Sequence, residues 1–256
     1  MSESIHLFAD GEHRNILLPE MDAGEGVPSN QHLIVHGREA MILDPGGAKL
    51  YTKVLAAAGK ELRGTKLKYI FCSHQDPDIV AALNGWLLAT DATAWCSEIW
   101  RRFIPHFGSD KLVYSRVTGI PDGGMRIQLG GSELLFLPAH FLHSIGNFQV
   151  YDPVSKILYT GDLGASLGED YRVVSDFDAH VRFMEGFHRR YMVSIRAMRA
   201  WAAMVRTLDI ETIAPQHGAM FVGKATVNRF IDWCEGLECG LDLMEGVFQV
   251  PPATAT

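Results

Sequence analysis

Apolar and polar positions alternate, run together or recur with helical spacing in well-marked blocks along the 256-residue chain. His32 to Gly47, HLIVHGREAMILDPGG, reads as two short apolar strands joined at His36–Glu39 and ended by the breaker Pro45-Gly46-Gly47. A helix is predicted over Ala48 to Lys60. The continuous run Lys66 to Ser73 then has the look of a strand buried on both faces. Helical spacing over Ile79 to Ala89, a short strand at Thr93 to Cys96 and a helix over Glu98 to His106 follow. Four further strands are predicted at Arg126–Leu129, Glu133–Leu137, Phe148–Tyr151 and Ile157–Thr160, separated by turn signals such as Gly130-Gly131 and Asp152-Pro153. From Phe187 to Leu208, Met192, Ile195, Met198, Ala202, Val205 and Leu208 recur every three or four residues, which predicts one long amphipathic helix. A strand at Glu211–Ala214 and a helix from Thr226 to Leu243 close the pattern, and the tail Val250–Thr256 is expected to fray.

Strands and helices alternate in two blocks with no Ser/Pro-rich linker between them. The expectation is therefore an α/β chain folded as a single domain over residues 1–256, with sheets covered by helices. No repeat is visible, no GxGxxG follows a strand and no GxxxxGK[ST] occurs, so internal dinucleotide or nucleotide triphosphate binding lacks support.

Composition narrows the field. An apolar content of 47% suffices for a large core, and a net charge of −7 argues against nucleic acid as a partner. The N-terminus has no basic stretch followed by an apolar one, and no run of eighteen apolar residues occurs, so neither secretion nor a membrane is expected. Cys72, Cys96, Cys234 and Cys239 form no CxxC motif and read as reduced thiols of a cytoplasmic protein.

The chemistry lies at strand exits. In FCSHQDPDIVAAL, successive extended side chains point to opposite sides, so His74, Asp76 and Asp78 share one side. Pro77 biases Asp76 away from helical geometry and keeps this turn open. By itself a polar loop after a strand is unremarkable. Three more strand exits carry ligand-type residues, however: His140 and His143 in LPAHFLHSIGN, Asp162 in ILYTGDLGA and His217 in IAPQHGAMF. Loops at one rim of a sheet gather into sites, and four exits of this kind point to a metal centre.

These residues resemble the metallo-β-lactamase fold, a four-layer αββα sandwich, and within it the di-iron branch of the flavodiiron and oxygen-binding di-iron proteins. The match runs through His74-x-Asp76-x-Asp78, then His143, then Asp162 after eighteen intervening residues, then His217. The SNQHLIVHGREAMILDPGG hairpin and the FHRRYMVSIRAMRAW segment also match, and most of residues 27 to 221 is covered. The resemblance implies one metal held by His74, Asp76 and His143, a second by Asp78 and His217, and Asp162 bridging. Two departures stand out. Asp76 replaces the usual Glu, and Ile79 stands where many relatives place a further His, so the second centre is expected to have one protein ligand fewer. Together these two positions also lack the imidazoles of the H-x-H-x-D-H motif that zinc hydrolases of the fold carry.

Charge leads to the same choice. Two divalent ions bring +4 and three aspartates −3, so one bridging hydroxide neutralises the cluster. Three imidazoles with three carboxylates suit two iron ions, with manganese or zinc as alternatives. The resemblance implies dioxygen or nitric oxide binding between two reduced irons. Too few residues follow His217 for a flavodoxin domain, so no internal flavin is expected. Three readings result: an oxygen sensor or oxygen-binding protein with a signalling partner, an oxygen or nitric oxide reductase served by a separate flavoprotein or rubredoxin, and, last, a dinuclear zinc hydrolase. A homodimer is implied by the resemblance alone.

The remaining candidates have competing structural readings. His32 and His140 are expected to pack or lie on the surface, with orientation of a metal ligand as the alternative. Tyr191 is expected in the core, its phenol alternatively donating a hydrogen bond to bound oxygen. His6, His13, His36, His106, His180 and His188 are expected to be solvated, and Asp152 to form a turn.

Overall fold

The computed structural model describes residues 3–21, 24, 26–107 and 114–252. Among these, two sheets form. The first has seven strands in sequence order: β1 (Ile5–Asp10), β2 (His13–Leu17), β3 (His32–His36), β4 (Glu39–Leu43), β5 (Lys66–Phe71), β6 (Thr93–Ser97) and β7 (Val117–Ile120). The second has six, in the order β13-β12-β11-β10-β9-β8, from β8 (Met125–Leu129), β9 (Ser132–Pro138), β10 (Phe148–Asp152), β11 (Ile157–Gly161), β12 (Thr212–Pro215) and β13 (Phe221–Val222).

The period of two along each strand sorts its side chains into layers. On β3 and β4, Leu33, Val35, Ala40 and Ile42 pack against α1 (Tyr51–Glu61), α2 (Pro77–Val80) and α3 (Leu83–Ala89). Their neighbours Ile34, Met41 and Leu43 face Phe136, Val150, Ile157 and Tyr159 of the other sheet. On β11, Leu158 turns outward to a cluster with α5 (Phe177–Tyr191), α6 (Ile195–Val205) and α7 (Lys224–Gly236). Helices, sheet, sheet and helices thus stack as the expected four-layer sandwich.

The predicted hairpin is present, with β3 and β4 antiparallel and His36 opposite Glu39. Several long helices break up. The span Ile79–Ala89 divides between α2 and α3, and Glu98–His106 becomes the short α4 (Glu98–Arg101) and a 3-10 turn at Ile104–Phe107. Phe187–Leu208 is two helices. The apolar period continues across the break because Met192 and Met198 are both buried, but the backbone between them is recruited elsewhere. Val193 N–H bonds Phe141 O, Val193 O accepts Leu241 N–H, and Ile195 N–H bonds Asp242 Oδ2 at 2.6 Å. Helix α5 also starts earlier than its periodicity suggests, at an Asp176 cap that accepts Ala179 N–H. The last predicted helix ends at Gly236, followed by a 3-10 turn at Gly240–Leu243. Of the tail, 250–252 carry no regular structure and 253–256 lie outside the described residues.

Strands β1, β2, β7 and the two-residue β13 are absent from the pattern read along the sequence. In β2 the buried face is polar, so the alternation is disguised. His13 and Asn15 are buried and meet Asp152 from the other sheet: His13 Nε2 lies 2.7 Å from Asp152 Oδ2, to which Asn15 Nδ2 donates at 2.8 Å and, bifurcated, to Tyr159 Oη at 3.0 Å. Asp152 does form its turn, through Val154 N–H to Oδ1, but it is wholly buried and also ties the two sheets together. The expectation of solvated histidines is corrected for His13, His180 and His188, which are all buried, with polar partners inside for both ring nitrogens of His13 and His188 and for Nδ1 of His180. Removing His13 strips a buried carboxylate of one partner, so His13→Ala is expected to lower unfolding free energy by about 3 kcal/mol in urea titration, and Asn15→Ala by less. Equal stability of His13→Ala and the parent would contradict the inter-sheet role.

Candidate metal centre

Strand direction decides where the site lies. Strands β4, β5 and β6 are mutually parallel, and β11 is parallel to β12. Strand β9 is antiparallel to β10, and β10 to β11, so β9, β11 and β12 point one way. Their carboxyl ends, with that of β5, present His143, Asp162, His217 and His74 to one pocket. The two sheets are joined at this end by Phe148 N–H to Ser73 O at 2.9 Å.

All six sequence-derived ligand residues come together. His74 Nε2 lies 3.6 Å from both Asp76 Oδ2 and Asp162 Oδ2, and His143 Nε2 lies 3.4 and 3.0 Å from the same two oxygens. One donor atom from each of these four residues falls within 4.8 Å of the others. On the far side of the Asp162 carboxylate, His217 Nε2 sits 3.4 Å from Oδ1 and 3.3 Å from Asp78 Oδ2. Ligand bonds of about 2.0–2.2 Å put neighbouring donors on one ion roughly 3.0–3.6 Å apart, which these separations match. Asp162 Oδ1 is buried and makes no hydrogen bond, an orphan acceptor of the kind a cation satisfies. The donor set therefore fits a pair of metal ions. Solvent reaches the pocket from the Asp76 and Asp78 side, where side-chain exposure is 35% and 38% against 8% for Asp162.

Supporting hydrogen bonds orient these donors. His217 Nδ1 donates to Pro28 O at 2.7 Å, which turns Nε2 toward the carboxylates. His74 Nδ1 pairs with Ser73 Oγ at 2.9 Å, while Ser73 N–H donates to Asp44 Oδ1 at 2.8 Å. Burial pushes the Asp44 carboxyl up to about 6. Gln75 Nε2 donates to Asp76 Oδ1 and its Oε1 accepts from Ser144 Oγ, so Asp76 is left with Oδ2 toward the imidazoles. Asn30 Nδ2 donates to Pro215 O and Gly218 O and grips the His217 turn from both sides. Gly161 (φ +60) and Gly218 (φ +79) flank Asp162 and His217 in left-handed backbone, and a Cβ on Gly218 would collide with Ser166 Oγ.

His188 is a residue that the sequence pattern did not single out. Its Nδ1 donates to Met184 O and its Nε2 accepts Gly164 N–H at 2.8 Å, which fixes the turn just after Asp162. Burial depresses its pKa to about 4, so it is neutral at pH 7. Asp44 had a usable signal, an acid directly beyond an apolar strand as at the other exits, but it reads equally as part of the Pro45-Gly46-Gly47 breaker. His32 and His140 are placed differently. The buried His32 ring lies 4.9 Å from that of Tyr159, and His140 Nε2 hydrogen-bonds with Asp122 O. Among the described residues neither bonds a ligand candidate. Tyr191 is not in the core: it is 57% exposed, stacks on Phe187, and turns its ring edge-to-face against His143 at 5.7 Å.

A family model described as ODP family beta lactamase matches residues 27–218, three-quarters of the chain. The chain belongs to this ODP family. Among solved structures, it is similar to the apo state of the chemotaxis sensor ODP from T. denticola at 39% identity, with a TM-score of 0.84, covering 96% of this chain and 99% of that one. A peroxy diiron species of chemotaxis sensor ODP matches at 39% identity and TM-score 0.85, covering 96% and 100%. A flavo di-iron protein variant from Thermotoga maritima shares the fold at 18% identity and TM-score 0.75, over 91% of this chain and 60% of that one. Curated relatives include an uncharacterized protein of Methanocaldococcus jannaschii, 23% identical over 81% of this chain, and diflavin flavoprotein A 1 of Synechocystis sp., 25% identical over 84%. The chain spans 52% and 38% of their lengths. The resemblance drawn from the strand-exit residues, to the di-iron branch of the metallo-β-lactamase fold, is borne out.

Electrostatics make ion uptake proton-linked. Burial opposes charge on His143, but hydrogen bonds to Asp162 and Asp76 outweigh it and lift its pKa to about 9. His217 is likewise raised to about 10, with Asp162 and Asp78 overcoming burial. Both are imidazolium at pH 7 in the ion-free protein, and their paired charges stabilise it fully below the unfolded pKa of about 6.5, a contribution lost as pH rises through about 9 and 10. A metal needs neutral imidazoles. Loading at pH 7 is expected to release about two protons per chain from these imidazoles, besides the one lost by a water that would become the bridging hydroxide, seen by calorimetry in buffers of different ionisation enthalpy, with affinity rising toward pH 9. Release near zero would contradict these protonation states.

Proposed function

We propose that this protein is a non-haem di-iron protein that binds dioxygen and serves as an oxygen sensor in the cytoplasm. The observation that carries this reading is the split Asp162 carboxylate. Oδ2 faces His74 and His143 with Asp76, while Oδ1 faces His217 with Asp78. His74, Asp76 and His143 are proposed to hold one iron, Asp78 and His217 the other, and Asp162 to bridge them. Likeness at 39% identity to a chemotaxis sensor supports the sensing role.

When bound, the reduced iron pair would supply two electrons and open positions to a diatomic ligand. The chain's own groups set the conditions around it. His188 and Ser73 hold the turns beside Asp162 and His74 still, so the donors need little rearrangement. Tyr191, against the His143 ring and partly in solvent, is proposed to present its phenol to the ligand pocket. Exposed Phe141 and Ile145 border the His143 loop, where a change at the centre would reach the surface and a signalling partner.

Metal analysis of anaerobically prepared protein is expected to find about two iron ions per chain, with Asp162→Ala depleting both sites and Asp78→Ala leaving about one. Full occupancy in both variants would sink the assignment. Dioxygen added to the reduced protein is expected to give a long-lived visible absorption band. Its rapid decay with repeated turnover on a reduced flavoprotein or rubredoxin would instead mark an oxygen reductase, and zinc content with ester hydrolysis a hydrolase.

A further inference from the structure

The two halves of the centre are unequally furnished. Among the described residues, His74, Asp76 and His143 stand on the Oδ2 side of Asp162, whereas His217 and Asp78 stand on the Oδ1 side. Ile79 supplies nothing, since its side chain is wholly buried in the apolar cluster between the first sheet and its helices.

Gln216 occupies the thin side. It is 2% exposed, and its backbone is clamped by its N–H to Gly161 O at 2.8 Å and by Asn30 N–H to its own carbonyl at 2.6 Å. It therefore stands between the strand exits of Asp162 and His217. Its amide nitrogen lies 3.3 Å from Asp78 Oδ2, the same separation that His217 Nε2 keeps from that oxygen. Its amide oxygen is buried and has no hydrogen-bond partner.

We infer that Gln216 is a ligand of the second ion, its amide oxygen taking the coordination position left without an imidazole by Ile79. This rests on reading the cluster as a dinuclear centre. A half-turn of the amide about Cγ–Cδ exchanges Nε2 and Oε1, two atoms of nearly equal size. The oxygen then stands 3.3 Å from Asp78 Oδ2, the spacing of adjacent donors on one ion. The exchange gives the oxygen a partner in the metal and puts the amide NH2 where the oxygen had none, a cost that the metal–oxygen bond has to exceed. A neutral amide adds no charge, so two divalent ions, three carboxylates and one hydroxide remain balanced. Amide carbonyl oxygen is a hard donor suited to ferrous or manganous ions.

The competing role is a hydrogen bond only, the amide N–H orienting Asp78. Gln216→Glu separates the two, because a carboxylate can coordinate in place of the amide oxygen but repels Asp78 instead of donating to it. Anaerobic titration of the full chain with cobalt(II), read by calorimetry and by visible absorption, resolves the two binding events. Gln216→Leu is expected to weaken the second event by at least about tenfold and change its absorption band, leaving the first unaltered. Gln216→Glu is expected to bind the second ion at least as tightly as the parent. An unchanged second event in Gln216→Leu, or equal weakening in both variants, overturns the inference. If Gln216→Leu does not fold, Gln216→Glu decides alone, tight binding supporting coordination and weakened binding refuting it. A parent that takes up a single ion refutes the dinuclear reading itself, and this inference with it.

Discussion

A nearly buried negative charge organises this molecule. The Asp162 carboxylate is only 8% exposed and would be costly to leave alone in an interior of low dielectric. Burial opposes its ionisation, yet His143, His217 and His74 around it hold its pKa well below the usual range. The arrangement is self-consistent only while positive charge is present, as imidazolium without metal and as metal with neutral imidazoles. The same balance that lets the ion-free chain fold thereby keeps the pocket shaped for ions.

Holding three imidazoles around one carboxylate requires rigid supports from distant parts of the chain. They come from strands that all end at one edge of the sandwich and from a shell of hydrogen bonds that spends no donor atom of the pocket. Pro28 O fixes His217, Ser73 fixes His74, and Gln75 with Ser144 fixes Asp76. His188 reaches from α5 to the turn after Asp162. Away from the metal pocket, His13, Asn15 and Asp152 join the two sheets. Polar contacts thus tie the two sheets both at the pocket and away from it.

The asymmetry of the pocket bears on how such a centre responds. One side of Asp162 carries His74, Asp76 and His143 and the other His217 and Asp78, and each side reaches solvent through its own aspartate, Asp76 at 35% and Asp78 at 38% exposure. Exposed aromatic surface from Phe141 and Tyr191 lies against the His143 loop rather than deep in the core. A ligand that altered the charge of the centre would therefore act on groups that already touch solvent.

Local pattern was enough to place the sheet core, the β3–β4 hairpin and the six metal-binding candidates, because strand burial leaves a period of two and strand exits leave polar residues directly after apolar runs. It failed where burial is polar or where backbone partners come from afar. Strand β2 hides behind His13 and Asn15, whose burial makes sense only once Asp152 arrives from the other sheet. The break at Met192–Ser194 is set by Phe141, Leu241 and Asp242, none of them near in sequence. Helical periodicity records which face is buried, not whether the backbone is continuous. In the same way the residue types at four strand exits pointed to a metal centre. Only the packing of two sheets decided that Asp162 faces both ways, that Gln216 stands beside Asp78, and that His188 lies inside, since each depends on distances between segments that sequence order does not contain.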